Sequence, residues 1–147
     1  MPDKRHKEKP TSIALVVNQN EIFYRLRMPW IRLLRDHGYE VYAVVASGNW
    51  NDRIEAGSAK FVEWKLSSSG RNPLVEVGSI LGLSRILRRI KPDIVQNFHS
   101  KPNIYAPIAA ELAGVPVTVS TVTGLGYTFV DRSGFGSSIG RRMNLGM

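Results

Sequence analysis

Two hydrophobic textures alternate along the chain. SIALVV, residues 12–17, is a short unbroken apolar run of the kind a strand buried on both faces shows, and it ends in the polar loop NQNE. Leu26, Trp30, Leu33, Leu34 and His37 then recur at helical spacing, with Pro29 placed in the first turn and Gly38 at the carboxyl-terminal cap. EVYAVVA and KFVEWKL read as a second and a third strand, separated by SGNWNDRIEAG, a turn with a short helix. SSSGRNP is a loop that leads into a helix over residues 74–90, where Val77, Ile80, Leu81, Ser84 and Leu87 line one side. Arg85, Arg88, Arg89 and Lys91 gather at its negative dipole end, and Pro92 stops it. DIVQN is a fourth strand, residues 103–113 are a fourth helical piece closed by Gly114, and VTVST after Pro116 is a fifth strand.

Buried-looking strands that alternate with helices predict right-handed crossovers and a parallel sheet covered on both sides, a Rossmann-like α/β layer. Ligands in such sheets sit beyond the carboxyl ends of the strands. The polar cluster NFHSKPNIY follows DIVQN directly, so it occupies a ligand-facing position.

Composition narrows the class. A chain of 147 residues is one domain's worth, and 43% hydrophobic residues against 22% charged fit a globular fold rather than disorder. With no cysteine, disulfides and thiolate metal sites are excluded, which fits a reducing, cytoplasmic setting. The net charge of +8 predicts anionic partners: phosphate groups, acidic lipid or nucleic acid. Residues 1–10 are charged and aperiodic, a flexible basic arm; residues 11–130 form the Rossmann-like domain; residues 131–147 look like the start of a truncated continuation. Aromatic-interleaved nucleic-acid modules, a P-loop and H-E-x-x-H are absent, so nucleic acid is not expected as a partner.

Three segments, YRLRMPWIRLLRDHGYEV, SSSGRNPLVEV and FHSKPNIYAPIAAELAGVPVTVSTVTGLGY, are similar in sequence and spacing to the amino-terminal half of family 4 glycosyltransferases, in particular the capsule, O-antigen and lipid-linked oligosaccharide subgroup. The resemblance implies half of a GT-B enzyme, with the acceptor held mainly by this half and the nucleotide-sugar mainly by a second. It further implies a polyprenyl-diphosphate-linked acceptor at the inner membrane face, retention of anomeric configuration, and no obligatory metal or other cofactor. The donor half is not expected within these residues, so the chain alone is expected to be inactive. Two alternatives share the pattern: a non-catalytic module that binds an anionic membrane surface or a partner protein, and a GT-B-type nucleotide-sugar epimerase.

The site residues follow from strand ends and from the resemblance together. His99 lies at the end of the fourth strand, where the resemblance places a histidine near the reacting sugar. Lys101 follows it, and Asn103 is expected to open the next helix, both as a side-chain cap and next to a phosphate. Arg27 is expected at a helix start, where the dipole disfavours a cation, so its placement points to a diphosphate ligand; Arg25 points elsewhere. Asn18 replaces the glycine-rich turn of many GT-B enzymes with a side chain able to hydrogen-bond. Gly124 and Gly126 in TGLGY predict a tight turn facing the cleft, and Arg71 a phosphate contact beside Ser69 and Asn72 at a helix mouth.

Overall fold

The structure, a computed structural model, describes residues 9–57, 59–66 and 72–122. Along the chain run β1 (Ser12–Val17), α1 (Asn20–Asp36), β2 (Glu40–Val45), α2 (Asn51–Ala56), β3 (Lys60–Glu63), α3 (Pro73–Ile90), β4 (Ile94–Phe98), α4 (Ser100–Ala113) and β5 (Val117–Thr121). All strand pairings are parallel, in the order β3-β2-β1-β4-β5. The chain therefore leaves β1 outward in both directions, and the sheet order reverses between β1 and β4. Such a reversal opens a crevice at the carboxyl ends of those two strands.

The expected Rossmann-like architecture is the one observed, with a core on each face. On one, Leu15, Val17, Val45 and Phe98 pack against Phe23 and Ile31 of α1 and Ile54 of α2. On the other, Val16, Val44 and Val95 meet Leu83 and Leu87 of α3 and the small residues Ala106, Ala109 and Ala110 of α4. Alternation along β4 sends Val95 and Asn97 to the α4 side and Phe98 to the α1 side.

Three helix expectations change. NQNE is not a loop: α1 begins at Asn20, which puts Pro29 inside the helix rather than in its first turn. The face α1 buries is Phe23, Arg27 and Ile31, spaced i, i+4, i+8, whereas Leu26, Trp30 and Leu33 are exposed. An arginine on the inward stripe and a tryptophan on the outward one disguised the true face. In α3, Pro73 does stand at the first helical position, capped by the Asn72 side chain accepting from the backbone N–H of Leu74 at 3.0 Å. Ser84 and Leu87 are buried as expected, but Val77 and Leu81 are exposed, and Ser79 and Leu83 complete the inward face. The fourth helix starts at Ser100, three residues earlier than expected, so Asn103 lies one turn inside it.

The amino end of β4 is tied down tightly. Asp93 accepts from the backbone N–H of Ser12 at 2.7 Å and from its hydroxyl at 2.9 Å, and the Asp93 N–H donates to the Ser12 carbonyl at 3.0 Å. These hydrogen bonds hold the Asp93 carboxyl below the usual carboxylate range.

Candidate active site at the carboxyl end of the fourth strand

The polypeptide turns from β4 into α4 at a single residue, His99, whose backbone lies at φ 71° and ψ 165°. That region is essentially reserved for glycine, because a Cβ collides with the backbone there, and holding another residue in it costs about 1–3 kcal/mol. Lys91, the other described non-glycine residue with positive φ, sits at φ 47° and ψ 59°, the ordinary left-handed conformation of a helix carboxyl cap. His99 is thus the residue with unusual strain. His99, the N-cap residue, makes no side-chain cap hydrogen bond, so the first backbone N–H groups of α4 lie at the positive dipole end without an acceptor from it.

Phe98, fully buried beneath this turn, supports Arg27. The Arg27 guanidinium carbon lies 3.7 Å from the Phe98 ring centroid, a cation–π contact that positions the charge over the strand end. Arg27 is only 9% exposed, and among the described residues its Nε has no hydrogen-bond partner and no carboxylate pairs with it. Burial pulls its pKa down from the ordinary arginine value, but the group stays protonated at any working pH. Burial also lowers the pKa of His99 below 6.5, and the charge of Arg27 lowers it further. The imidazole beside the crevice is therefore neutral at pH 7, able to accept a proton or a hydrogen bond from a hydroxyl. A buried cation beside a helix start is an arrangement with the charge and donors that an anion would use.

Arg27 reaches this position from the middle of α1. The expectation that it stands at a helix start, against the dipole, is corrected: the helix extends two turns further toward its amino end, and burial rather than the dipole sets Arg27 apart. Arg25 does point elsewhere, pairing with Glu21 at 3.0 Å one helical turn away and lying over the Trp50 ring. Lys101 turns to the opposite side of the sheet, where its Nζ lies 3.4 Å from Glu76 of α3. Arg27 and His99 are brought together; Lys101 joins a helix-to-helix ion pair.

Asn103 does not cap its helix. Its Oδ1 accepts from the Asn97 side-chain amide at 2.7 Å, and its Nδ2 donates to the Thr121 carbonyl at 3.0 Å. Asn97 also donates to the Ser120 hydroxyl at 2.9 Å, so this pair of asparagines bolts α4 to the carboxyl ends of β4 and β5. The Oδ1 of Asn97, completely buried, has no partner among the described residues. Asn97 and Phe98 were missed in the sequence, although a polar residue inside the buried run DIVQNF was a visible signal. Asn18 is half-buried at the bend after β1, and its neighbour Asn20 makes the local bond, donating to Asn51 Oδ1 at 2.9 Å. Arg71, Gly124 and Gly126 lie outside the described residues, as do Ser69, residues 1–8 and residues 131–147. A separate concavity of about 730 Å³ opens beyond β2 and β3, lined by Ser47, Glu63, Trp64, Val75 and Ser79, and none of the candidate site residues lines it. Among the described residues, no cluster of histidine and acidic side chains is arranged to hold a metal.

The sequence comparison identifies the family of the chain. Residues 12–143 match the model of the family described as glycosyl transferase 4-like. The chain belongs to that family. Within it, the chain is 28% identical over 129 residues to N,N'-diacetylbacillosaminyl-diphospho-undecaprenol alpha-1,3-N-acetylgalactosaminyltransferase of Campylobacter jejuni, covering 88% of this chain and 34% of that protein. Over 57 residues it is 40% identical to UDP-Gal:alpha-D-GlcNAc-diphosphoundecaprenol alpha-1,3-galactosyltransferase of Escherichia coli, covering 39% of this chain and 15% of the relative. The chain thus spans about a third of the length of the first of these curated relatives. The fold is similar to that of CalG4, the calicheamicin glycosyltransferase, with a TM-score of 0.62 and 16% identity over 86% of this chain and 37% of the other. This glycosyl transferase 4-like chain therefore corresponds to one Rossmann-like portion of a longer GT-B architecture.

Proposed function

We propose that these residues form the acceptor-binding half of a retaining glycosyltransferase, which moves a sugar from a nucleotide-sugar to a polyprenyl-diphosphate-linked glycan at the cytoplasmic face of a membrane. The family supports the transferase class, and the names of the two curated relatives support a lipid-linked diphosphate acceptor. The observation that carries the assignment of the site is the juxtaposition of buried, carboxylate-free Arg27 with strained, neutral His99 at the switch point of the sheet. Arg27 donates to a diphosphate oxygen, and the first N–H groups of α4 add further donors to it. His99 accepts from a hydroxyl of the sugar and so orients it. Asn103 acts through the strand ends, by fixing the start of α4, and Lys101 reaches an anion only by leaving Glu76. The reading also includes the sequence expectations for Gly124, Gly126 and Arg71, which lie outside the described residues, and Asn18 offers a further hydrogen bond at the end of β1.

The chemistry needs little from this half beyond charge and placement. Holding the acceptor hydroxyl at the anomeric carbon removes the entropic part of the barrier, and cations near the departing diphosphate stabilise its developing charge. Titration with a short polyprenyl-diphosphate-linked monosaccharide tests the reading: the chain binds it, and Arg27→Met weakens binding by roughly tenfold or more, the scale of a lost charge-assisted hydrogen bond. Binding unaffected by that substitution would refute the site. A chain of this length is predicted to show no sugar transfer by itself, because the stretch matched in the Campylobacter jejuni relative is only 34% of that protein. Turnover by the purified chain with nucleotide-sugar and acceptor would contradict this.

A further inference from the structure

A strand that turns into a helix through one residue has no slack, so whatever fixes the two arms fixes the corner. Between β4 and α4 the corner is His99, at φ 71° and ψ 165°. The N-cap residues of α1 and α3 differ: Gln19 lies at φ −136° and ψ 124°, and Asn72 at φ −92° and ψ 112°, both in the ordinary extended region. Outside glycine, a conformation like that of His99 persists only where the surrounding structure over-determines it.

Side-chain hydrogen bonds straddle this corner. Asn97 of β4, two residues before it, donates to Asn103 Oδ1 of α4, four residues after it, at 2.7 Å. The same Asn97 amide donates to the Ser120 hydroxyl at 2.9 Å, and Asn103 Nδ2 donates to the Thr121 carbonyl at 3.0 Å. Both acceptors belong to β5, whose register sets Ser120 beside Asn97 and Thr121 beside Phe98. The backbone N–H of Asn103 also donates to the His99 carbonyl at 2.9 Å, so Asn103 grips the corner through its main chain and its side chain.

The direction of this chain of amides is dictated from one end. A backbone carbonyl only accepts, so Thr121 requires the Nδ2 of Asn103. Asn103 Oδ1 is then left facing β4, where it needs a donor, and Asn97 must present its own Nδ2. The Ser120 hydroxyl takes the second hydrogen of that amide. Asn97 Oδ1 is therefore turned away from these partners, and among the described residues it has none. The buried orphan oxygen is what this order of donors leaves over. An apolar pair would fill the same space without an orphan, but it would not set a direction.

We propose that Asn97 and Asn103 are positioning residues for His99: their clamp between β4, α4 and β5 holds the corner at positive φ and so sets the place and direction of the imidazole. Released from it, α4 can start one residue later, with His99 in the extended region that Gln19 and Asn72 occupy. The functional meaning rests on the proposed role of His99. The clamp itself is tested on the free protein without acceptor, so its failure and that of the acceptor assignment give different results.

Solution NMR of the isotopically labelled chain reads the corner directly, with His99→Gln identifying the His99 resonances. A residue at positive φ brings its amide proton close to its own Hα and gives a strong intraresidue NOE. The parent shows that cross-peak at His99, and the imidazole titrates below 6.5, as its burial and the charge of Arg27 require. Asn103→Ala places the best helix former at a half-buried helical position, so the fold is kept. In this variant the cross-peak weakens to the level seen at Gln19 and Asn72, and the titration moves up toward 6.5 as the ring gains water. Asn103→Gln, which keeps the amide but displaces it by one methylene, moves both readouts the same way. Ser12→Ala is the control: it deletes the hydroxyl that bonds Asp93 at the other end of β4, lowers stability, and leaves both His99 readouts in place. Unchanged readouts in Asn103→Ala would overturn the inference, because other contacts would then hold His99. So would equal changes in Ser12→Ala, which would reduce the effect to general loosening, or a parent without the positive-φ cross-peak.

Discussion

The two ends of β4 use similar residue types to opposite purposes. At the amino end, Asp93 and Ser12 exchange hydrogen bonds across 81 residues of sequence, the acceptor oxygen of the carboxylate serves two donors, and nothing is strained. At the carboxyl end, Asn97 keeps a buried oxygen and Arg27 a buried Nε without a partner among the described residues, and His99 holds a backbone conformation suited to glycine. One end gains stability from polar groups. The other gives some up, a deficit that the proposed function explains by a ligand at the strand end.

Substitutions at the carboxyl end can separate support from binding. Phe98→Ala removes the ring under Arg27 and is expected to cost about 3–5 kcal/mol of stability, measurable by denaturant unfolding. A much smaller loss would mean that the strand end is not the platform described. Arg27→Met keeps the length of the stem and deletes the charge; diphosphate affinity falls by roughly ten- to a hundredfold, while unfolding stability holds or rises, because an unpaired buried charge is removed. Were stability to fall sharply with affinity unchanged, Arg27 would belong with Asp93 as a structural group.

Acidification sharpens the contrast because the two ends titrate in different windows. The pKa of His99 is lowered on folding, so the unfolded chain binds its proton more readily and stability falls as pH drops below about 6.5. Asp93 is also lowered, but as an acid: its contribution is present above the unfolded value near 3.8 and is lost as pH falls further, through the folded value. Stability against pH should therefore descend in two steps, with His99→Gln removing the upper and Asp93→Asn the lower. A single step eliminated by either substitution would mean that the two ends are one coupled network.

Much of the fold was legible in the sequence. β1 announced itself as an apolar run between turn signals, because a strand buried on both faces has no polar side to confuse the pattern, whereas β3 and β5, largely exposed, were marked by alternation and by their position in the order of elements. Helix faces were harder. Both stripes of α1 have helical spacing, and only the packing shows that the one containing Arg27 turns inward while Leu26, at 54% exposure, turns out. His99 could be placed from its position after β4, yet its strain could not, since backbone dihedrals leave no mark on a histidine in sequence. Lys101 and Asn103 were placed correctly after β4, but both lie inside α4 and their contacts were not legible: partners 25 and 18 residues away, Glu76 and the Thr121 carbonyl, help to set their directions. The asparagine pair was hidden for the same reason.

The most direct test replaces His99 with glycine and measures two things in the same protein. Relief of the backbone strain, less the added freedom of a glycine in the unfolded chain, predicts a gain of about 1 kcal/mol in unfolding stability. Affinity for a polyprenyl-diphosphate-linked monosaccharide is predicted to fall at the same time. A glycine variant that is less stable than the parent, or that binds the acceptor as well as the parent does, would contradict the account.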